Sequence, residues 1–388
     1  MKKTVFIISI TLIFGTFLIS ANRANAGWSW PWKTNNEQGV EQARGQKAGW
    51  SERFFSWRKK NNTSESIVKK VTVIRENGGR VDWLADKDLI VFDAPHDGGF
   101  SDVFVMNGNG SGERCLTCNH PALPNKHMGN PAWHPSGEYV VFQAEKKEHP
   151  DSSELAKPGR GTYNDLWVIG IKGDKVWKLT DLPSPPATGV LHPHFSHNGK
   201  KLFWAQREKG GGLFGVWSLK VADFDVVGGI PRLSDIKTYQ PGKTPKFYES
   251  HGFTKNDRGI IFSANSEDQS ETGFDQYVMD LATGKLTNLV GTPRIWDEHG
   301  QLSNSGRKIV WASSRDLTVP HLDLWTMNDD GSDKKRLTYF NDKSWKFYLG
   351  VNGSPADSSW GPGDKKMVTF VITDDNLSLG KIVILDLK

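Results

Sequence analysis

Five stretches of this chain place imidazole and carboxylate side chains at matching positions of a repeating pattern. Aligned on Trp133, Phe195, Phe253, Leu302 and Trp360, the residues three positions earlier are Asn130, His192, Ser250, His299 and Asp357. His194, Glu249, His251, Asp297 and Glu298 stand beside them. If the five stretches converge, His192, Glu249, His251 and His299 supply nitrogen and oxygen donors for a divalent cation, magnesium or calcium. The plainer alternative is a polar rim filled with water, because donor geometry across separate segments is not written in spacing.

Cys115-Leu-Thr-Cys118-Asn-His120 is the second group with chemical potential. Covalent c-type haem needs a histidine directly after the second cysteine, and Asn119 intervenes, so no haem is expected on this chain. The chain has only these two cysteines. A four-cysteine zinc site or an iron–sulfur cluster is therefore excluded unless another chain supplies ligands. In an exported protein Cys115 and Cys118 are expected to form a local disulfide, with a redox role as the alternative. No Gly-x-Ser-x-Gly elbow, phosphate loop or dinucleotide fingerprint is present, so nucleophilic catalysis has no support.

Two further segments suit binding rather than chemistry. Residues 239–252 contain two prolines and two glycines, which argues for a long loop carrying Phe247, Tyr248, Glu249 and His251. Such a loop can gate a cavity or reach into a partner, or it can be an idle connection. Residues 27–66 form a polar arm studded with Trp28, Trp30, Trp32 and Trp57, a residue type that anchors interfaces. Packing across the arm's own domain is the other reading.

The elements that must position these groups recur. An Asp- or Gly-led apolar strand returns at Asp102–Met106, Asp165–Ile169, Gly215–Leu219, Asp275–Met279 and Asp323–Met327, at intervals of 48 to 63 residues. A strand, a tight Gly/Asn/Asp turn and a second strand precede each copy, and Leu116-Thr117, Leu179-Thr180 and Leu337-Thr338 follow three of them. Four short antiparallel strands per unit predict an all-β protein, a β-propeller. Six clear blades fall at about 81–120, 127–183, 189–245, 249–291, 295–342 and 350–388, and a seventh is possible. The last blade lacks room for a fourth strand, so residues 67–74 are expected to supply it and close the ring spanning 67–388.

The amino terminus has the three parts of an export signal: Lys2-Lys3, an apolar run from Val5 to Ile19, and Ala24-Asn25-Ala26. Cleavage after Ala26 would remove residues 1–26, an uncleaved anchor being the alternative. The formal charge of +5 falls to +2 once Lys2, Lys3 and Arg23 leave with the leader. A nearly balanced surface excludes a dedicated nucleic-acid binder, since phosphate binding needs concentrated cations. No later stretch is long enough to span a membrane.

The segments His192–Phe203 and Asp323–Thr338 resemble the TolB-like propeller repeat, a likeness that covers roughly residues 80–388. It implies the fold, and fold alone does not fix function. The histidine-rich channel mouth is also similar to that of oligogalacturonate lyases, propellers that bind a metal through channel histidines. Leader, haem-free propeller and the segment around Glu249 together resemble the β subunit of hydrazine synthase from anammox bacteria. That resemblance implies a non-catalytic subunit beside haem-bearing α and γ subunits that make hydrazine from nitric oxide and ammonium. It places the chain in a periplasm or anammoxosome lumen, with Phe247, Tyr248 and Glu249 modulating passage of an intermediate. A TolB-like periplasmic scaffold and a metal-dependent lyase-like enzyme are the alternatives.

Overall fold

Each repeat is a run of β-branched and aromatic residues broken by turn formers, and each becomes one four-stranded antiparallel sheet. The computed structural model describes residues 67–149, 153–243, 246–266, 270, 272–373 and 380–388. The leader 1–26 and the arm 27–66, with Trp28, Trp30, Trp32 and Trp57, lie outside the described residues. The first blade is β2 Val81–Leu84, β3 Leu89–Pro95, β4 Ser101–Asn107 and β5 Arg114–Cys115. The second is β6 Met128–Trp133, β7 Tyr139–Glu145, β8 Asn164–Gly170 and β9 Val176–Lys178. In the third, β10 Gly189–Phe195, β11 Lys201–Lys209, β12 Val216–Val227 and β13 Ile230–Tyr239 follow in order. The fourth holds β14 Tyr248–Phe253, β15 Gly259–Ala264, β16 Asp275–Asp280 and β17 Leu286–Asn288. The fifth holds β18 Asp297–Leu302, β19 Lys308–Ser313, β20 Asp323–Asn328 and β21 Lys335–Arg336.

In the sixth blade, β22 Ser354–Trp360, β23 Lys366–Ile372 and β24 Gly380–Leu387 take β1 Val68–Gly78 as their outer strand. The expected closure is therefore made, with Val68 opposite Leu387 and Val73 opposite Val383. The first strands of neighbouring blades touch all the way round, from β2 through β6, β10, β14 and β18 to β22 and back to β2. Six sheets make the ring, and the described residues contain no seventh. Among them no helix is long and apolar enough to cross a membrane.

The core lies between blades rather than inside one. Leu191, Phe203 and Trp217 of the third blade pack with Tyr248, Phe262 and Tyr277 of the fourth, all but fully buried. The same arrangement joins the sixth blade to the first, through Val368 and Ile382 against Phe92 and Trp83. A sheet covered on both faces has no polar side, which is why β6 and β14 are buried at every residue.

Hydrogen bonds explain the Asp and Leu-Thr signatures. Thr117 Oγ1 donates to Asp102 Oδ1 at 2.7 Å and accepts from Val103 N at 2.9 Å. Thr180 with Asp165, and Thr338 with Asp323, repeat the device. The Leu-Thr pairs lie just past the short outer strands, not within them, because their bonds run to the third strand.

Turns on one face are tight, at 85–88, 134–138, 196–200, 254–258, 303–307 and 361–365. They also clasp neighbours: Asp257 accepts from His197 N and Asn198 N, and Asp364 accepts from Asn304 N and Ser305 N. The opposite face carries the longer connections, such as 179–188, 314–322 and 337–353. Glu249 and Glu298 are the second residues of β14 and β18, toward that long-connection face.

Candidate metal centre

An inner strand of period two cannot direct every channel residue to the axis. Five of the six inner strands break that period with a bulge. Asn130-Pro131, His192-Pro193, His299-Gly300 and Ala356-Asp357 each oppose a single residue of the next strand, and His251 is the extra residue of β14. Asn130, His192 and His299 take φ of 48°, 49° and 57°, which re-aims their side chains. A Cβ at Gly300 would stand 2.1 Å from Gln276 Oε1, so a side chain there would displace the end of that glutamine.

The four residues expected to bind a cation come together. One donor atom from each of His192, Glu249, His251 and His299 lies within 4.8 Å of the other three, and all four residues are buried. His192 Nε2 is 3.4 Å from Glu249 Oε1, His251 Nε2 is 3.8 Å from Glu249 Oε2, and His299 Nδ1 is 4.0 Å from that same oxygen. The three imidazole centroids form a triangle with sides of 6.1, 5.7 and 5.9 Å. Such gaps are long for hydrogen bonds and lie within about half an ångström of the spacing of ligands on one ion. At a metal–ligand distance of about 2.1 Å, neighbouring donors stand roughly 3 to 3.5 Å apart.

Several polar atoms here have no hydrogen-bond partner among the described residues: both nitrogens of His192, Nδ1 of His251 and His299, and Oδ2 of Asp357. Leaving buried polar atoms unpaired costs on the order of 1–3 kcal/mol each. Their concentration around one point calls for a ligand. Ser263 fixes one imidazole, its Oγ lying 2.7 Å from His251 Nε2 and 3.5 Å from Glu249 Oε2. Asp357 sits behind two others, 3.4 Å from His192 Nδ1 and 3.6 Å from His299 Nδ1, with Arg80 Nε 3.5 Å away.

Charge points the same way. Three buried carboxylates, Glu249, Glu298 and Asp357, crowd together around the Arg80 guanidinium and the His299 imidazole. Burial pushes Glu249 up to about 8, and the charges of Glu298 and Asp357 add to the shift. Burial works against a charged His299, yet Glu249 and Asp357 outweigh it and raise that imidazole to about 9. Burial lowers His192 to about 3 and His251 far below the usual range, so both are neutral and able to ligate. Burial also opposes ionised Asp357, but His192, His299 and Arg80 together hold it far below the carboxylate range.

No family model matches this chain, and no curated protein matches it. Among solved structures it is similar to TolB from Acinetobacter baumannii, at 12% identity over 80% of this chain and 63% of that one, with a TM-score of 0.47. This chain thus covers less than two thirds of that protein's length. The putative TolB of Agrobacterium tumefaciens matches at 20% identity over 67% and 73%, with a TM-score of 0.44. An oligogalacturonate lyase in complex with manganese matches at 12% identity over 84% and 94%, with a TM-score of 0.49. The six-bladed ring itself stands on the chain's own strand pairing.

The remaining expected residues divide. Asp357 and Glu298 join the cluster, whereas Ser250 bonds the carbonyl oxygens of Leu191 and His192, and Asn130 accepts from Gly159 N. Asp297 accepts from Trp311 Nε1 and Thr292 Oγ1 and serves the fold. The gating loop is corrected. Tyr248 and Glu249 belong to the fully buried strand β14, and Phe247 just before it packs against Phe214, Trp217 and Phe274. From Tyr248 on the chain is strand and not loop, Tyr248 standing opposite Ala264 and Phe253 opposite Ile260 of β15. Cys115 and Cys118 form the expected disulfide.

Arg80 and Ser263 were not among the sequence candidates. For Arg80 a signal existed: aligning Trp83 of the first blade with Trp133 puts Arg80 in register with His192 and His299. Ser263 lies on a second strand, and nothing in its spacing marks it.

Proposed function

We propose that this chain is a metal-dependent propeller enzyme, exported, whose channel holds one divalent transition-metal cation on His192, Glu249, His251 and His299. The observation that carries this reading is the convergence of four buried donor residues, with both nitrogens of His192 and Nδ1 of His251 and His299 lacking a hydrogen-bond partner among the described residues. Three imidazoles and a single carboxylate suit manganese, iron, cobalt or zinc better than the magnesium or calcium first expected, which prefer oxygen ligands. Such a cation supplies a Lewis acid for an oxygen-bearing ligand. The cluster edge that meets solvent is Arg80, Glu298, His299 and Asp357, with side chains 14, 11, 10 and 9% exposed. The Arg80 guanidinium at that edge can pair with an anionic group such as a carboxylate. This is the lyase-like alternative given definite residues.

The test is metal content per chain in protein purified without chelators, compared with His251→Ala. About one transition-metal ion per wild-type chain, lost in the variant, supports the reading. A metal-free wild-type chain that co-purifies with haem-bearing chains would instead favour the partner-subunit reading, in which the propeller carries no chemistry of its own.

A further inference from the structure

The two cysteines are alone in the sequence, but not in space. His96 Nδ1, at the end of the second strand of the first blade, is 3.2 Å from Asp102 Oδ2 at the start of the third. Cys118 Sγ lies within 4.8 Å of both donor atoms. Cys115 Sγ is bonded to Cys118 Sγ, which sets a second sulfur beside this three-residue cluster on the long-connection face. Two cysteines separated by two residues have a spacing common in structural zinc sites, and His and Asp are both zinc ligands. The local backbone already suits thiolates. Cys118 N donates to Cys115 Sγ at 2.9 Å, and the turn continues through Asn119 at φ 55°. The site is reachable, with the His96 side chain 26% exposed and Cys115 and Cys118 half-buried.

We propose that this is a redox-controlled zinc site, closed while Cys115 and Cys118 are disulfide-bonded and opened by a dithiol reductant. In opening, the sulfur–sulfur bond breaks and two electrons and two protons pass from the dithiol, which becomes a disulfide, to Cys115 and Cys118. Zinc then displaces the two thiol protons and binds both sulfurs, His96 Nδ1 and Asp102 Oδ2. Reoxidation by a disulfide reverses both steps and ejects the ion. Thr117 keeps Asp102 in place throughout by donating to its other oxygen. None of these residues belongs to the channel cluster, so this site and that one stand or fall separately.

Cobalt is a suitable probe because only a thiolate site gives a sulfur-to-cobalt charge-transfer band, which a site of imidazoles and carboxylate lacks. The full chain is reduced with a phosphine, which leaves no competing thiol, and titrated with cobalt while near-ultraviolet circular dichroism reports the fold. The expected result is a charge-transfer band in reduced wild type and in His251→Ala, absent before reduction and absent in Cys118→Ser. In His96→Ala and His96→Gln cobalt should bind at least about tenfold more weakly. A reduced, folded chain without the band overturns the proposal, as does reduction that unfolds the propeller, or a band with unchanged affinity in both His96 variants.

Discussion

Glu249→Gln separates a cation site from a merely polar channel, because only a cation site makes the stabilisation by added metal depend on that carboxylate. In the ion-free protein an ionised Glu249 is one of three carboxylates facing Arg80, and burial has pushed its pKa from 4.5 to about 8. A carboxyl that holds its proton more tightly when folded contributes stability that is fully present below pH 4.5 and is lost as pH rises through 8. At about 1.4 kcal/mol per unit, the loss above pH 8 has a ceiling of about 5 kcal/mol. His299, 4.0 Å away and itself raised to about 9, offsets part of that cost. Glutamine keeps the shape and removes the charge, so a gain of about 2 kcal/mol at pH 8 is the expected order. With an unfolding entropy of about 2.1 cal/mol/K per residue over roughly 320 folded residues, Tm should rise by about 3 °C. Added cation works in the other direction. At a hundred times its Kd, manganese or zinc should stabilise wild type by about 2.7 kcal/mol, or about 4 °C, while the variant gains little. The assay is a thermal melt by tryptophan fluorescence at pH 8, on chelated protein with and without cation. Lower stability of chelated Glu249→Gln, or an equal cation shift in both proteins, would refute the reasoning.

Ser263→Ala should keep the fold and weaken cation binding about ten- to hundredfold by calorimetric titration, because it frees the His251 ring that Ser263 orients. Asp257→Ala strips the acceptor from His197 N and Asn198 N on the tight-turn face, so it should cost about 1–3 kcal/mol in denaturant melts and leave cation affinity unchanged. Acid stability should follow His127, which burial lowers from 6.5 to about 4. The unfolded chain takes up a proton that the folded one refuses between those values, so stability falls as pH drops through that window, by at most about 3 kcal/mol. Urea midpoints of wild type and His127→Gln between pH 7 and 4 check this, the variant losing less.

The legible and illegible parts of this chain differ in range along the sequence. Blade count, ring closure by the segment after residue 66, and the Cys115–Cys118 bond depend on local patterns, namely strand alternation, turn residues and short separation. Aligning repeats then carried His192 and His299 to one place although 107 positions separate them, because every blade presents its first strand to the same axis. What spacing did not carry was backbone irregularity. Pro241 and Pro245 suggest a loop through residue 252, yet the chain enters β14 at Tyr248, with Tyr248 and Phe253 filling an inter-blade core and Glu249 meeting the buried histidines. The bulge at His251 is equally invisible, because a one-residue shift leaves no compositional trace while reversing which side chains meet the axis. Side-chain partners drawn from second strands, Ser263 here and Thr369 behind Ser358, follow only once that register is known. Backbone irregularity and long-range chemistry therefore coincide on β10, β14 and β18: the bulges that spoil regular pairing there accompany the donors that converge in the channel.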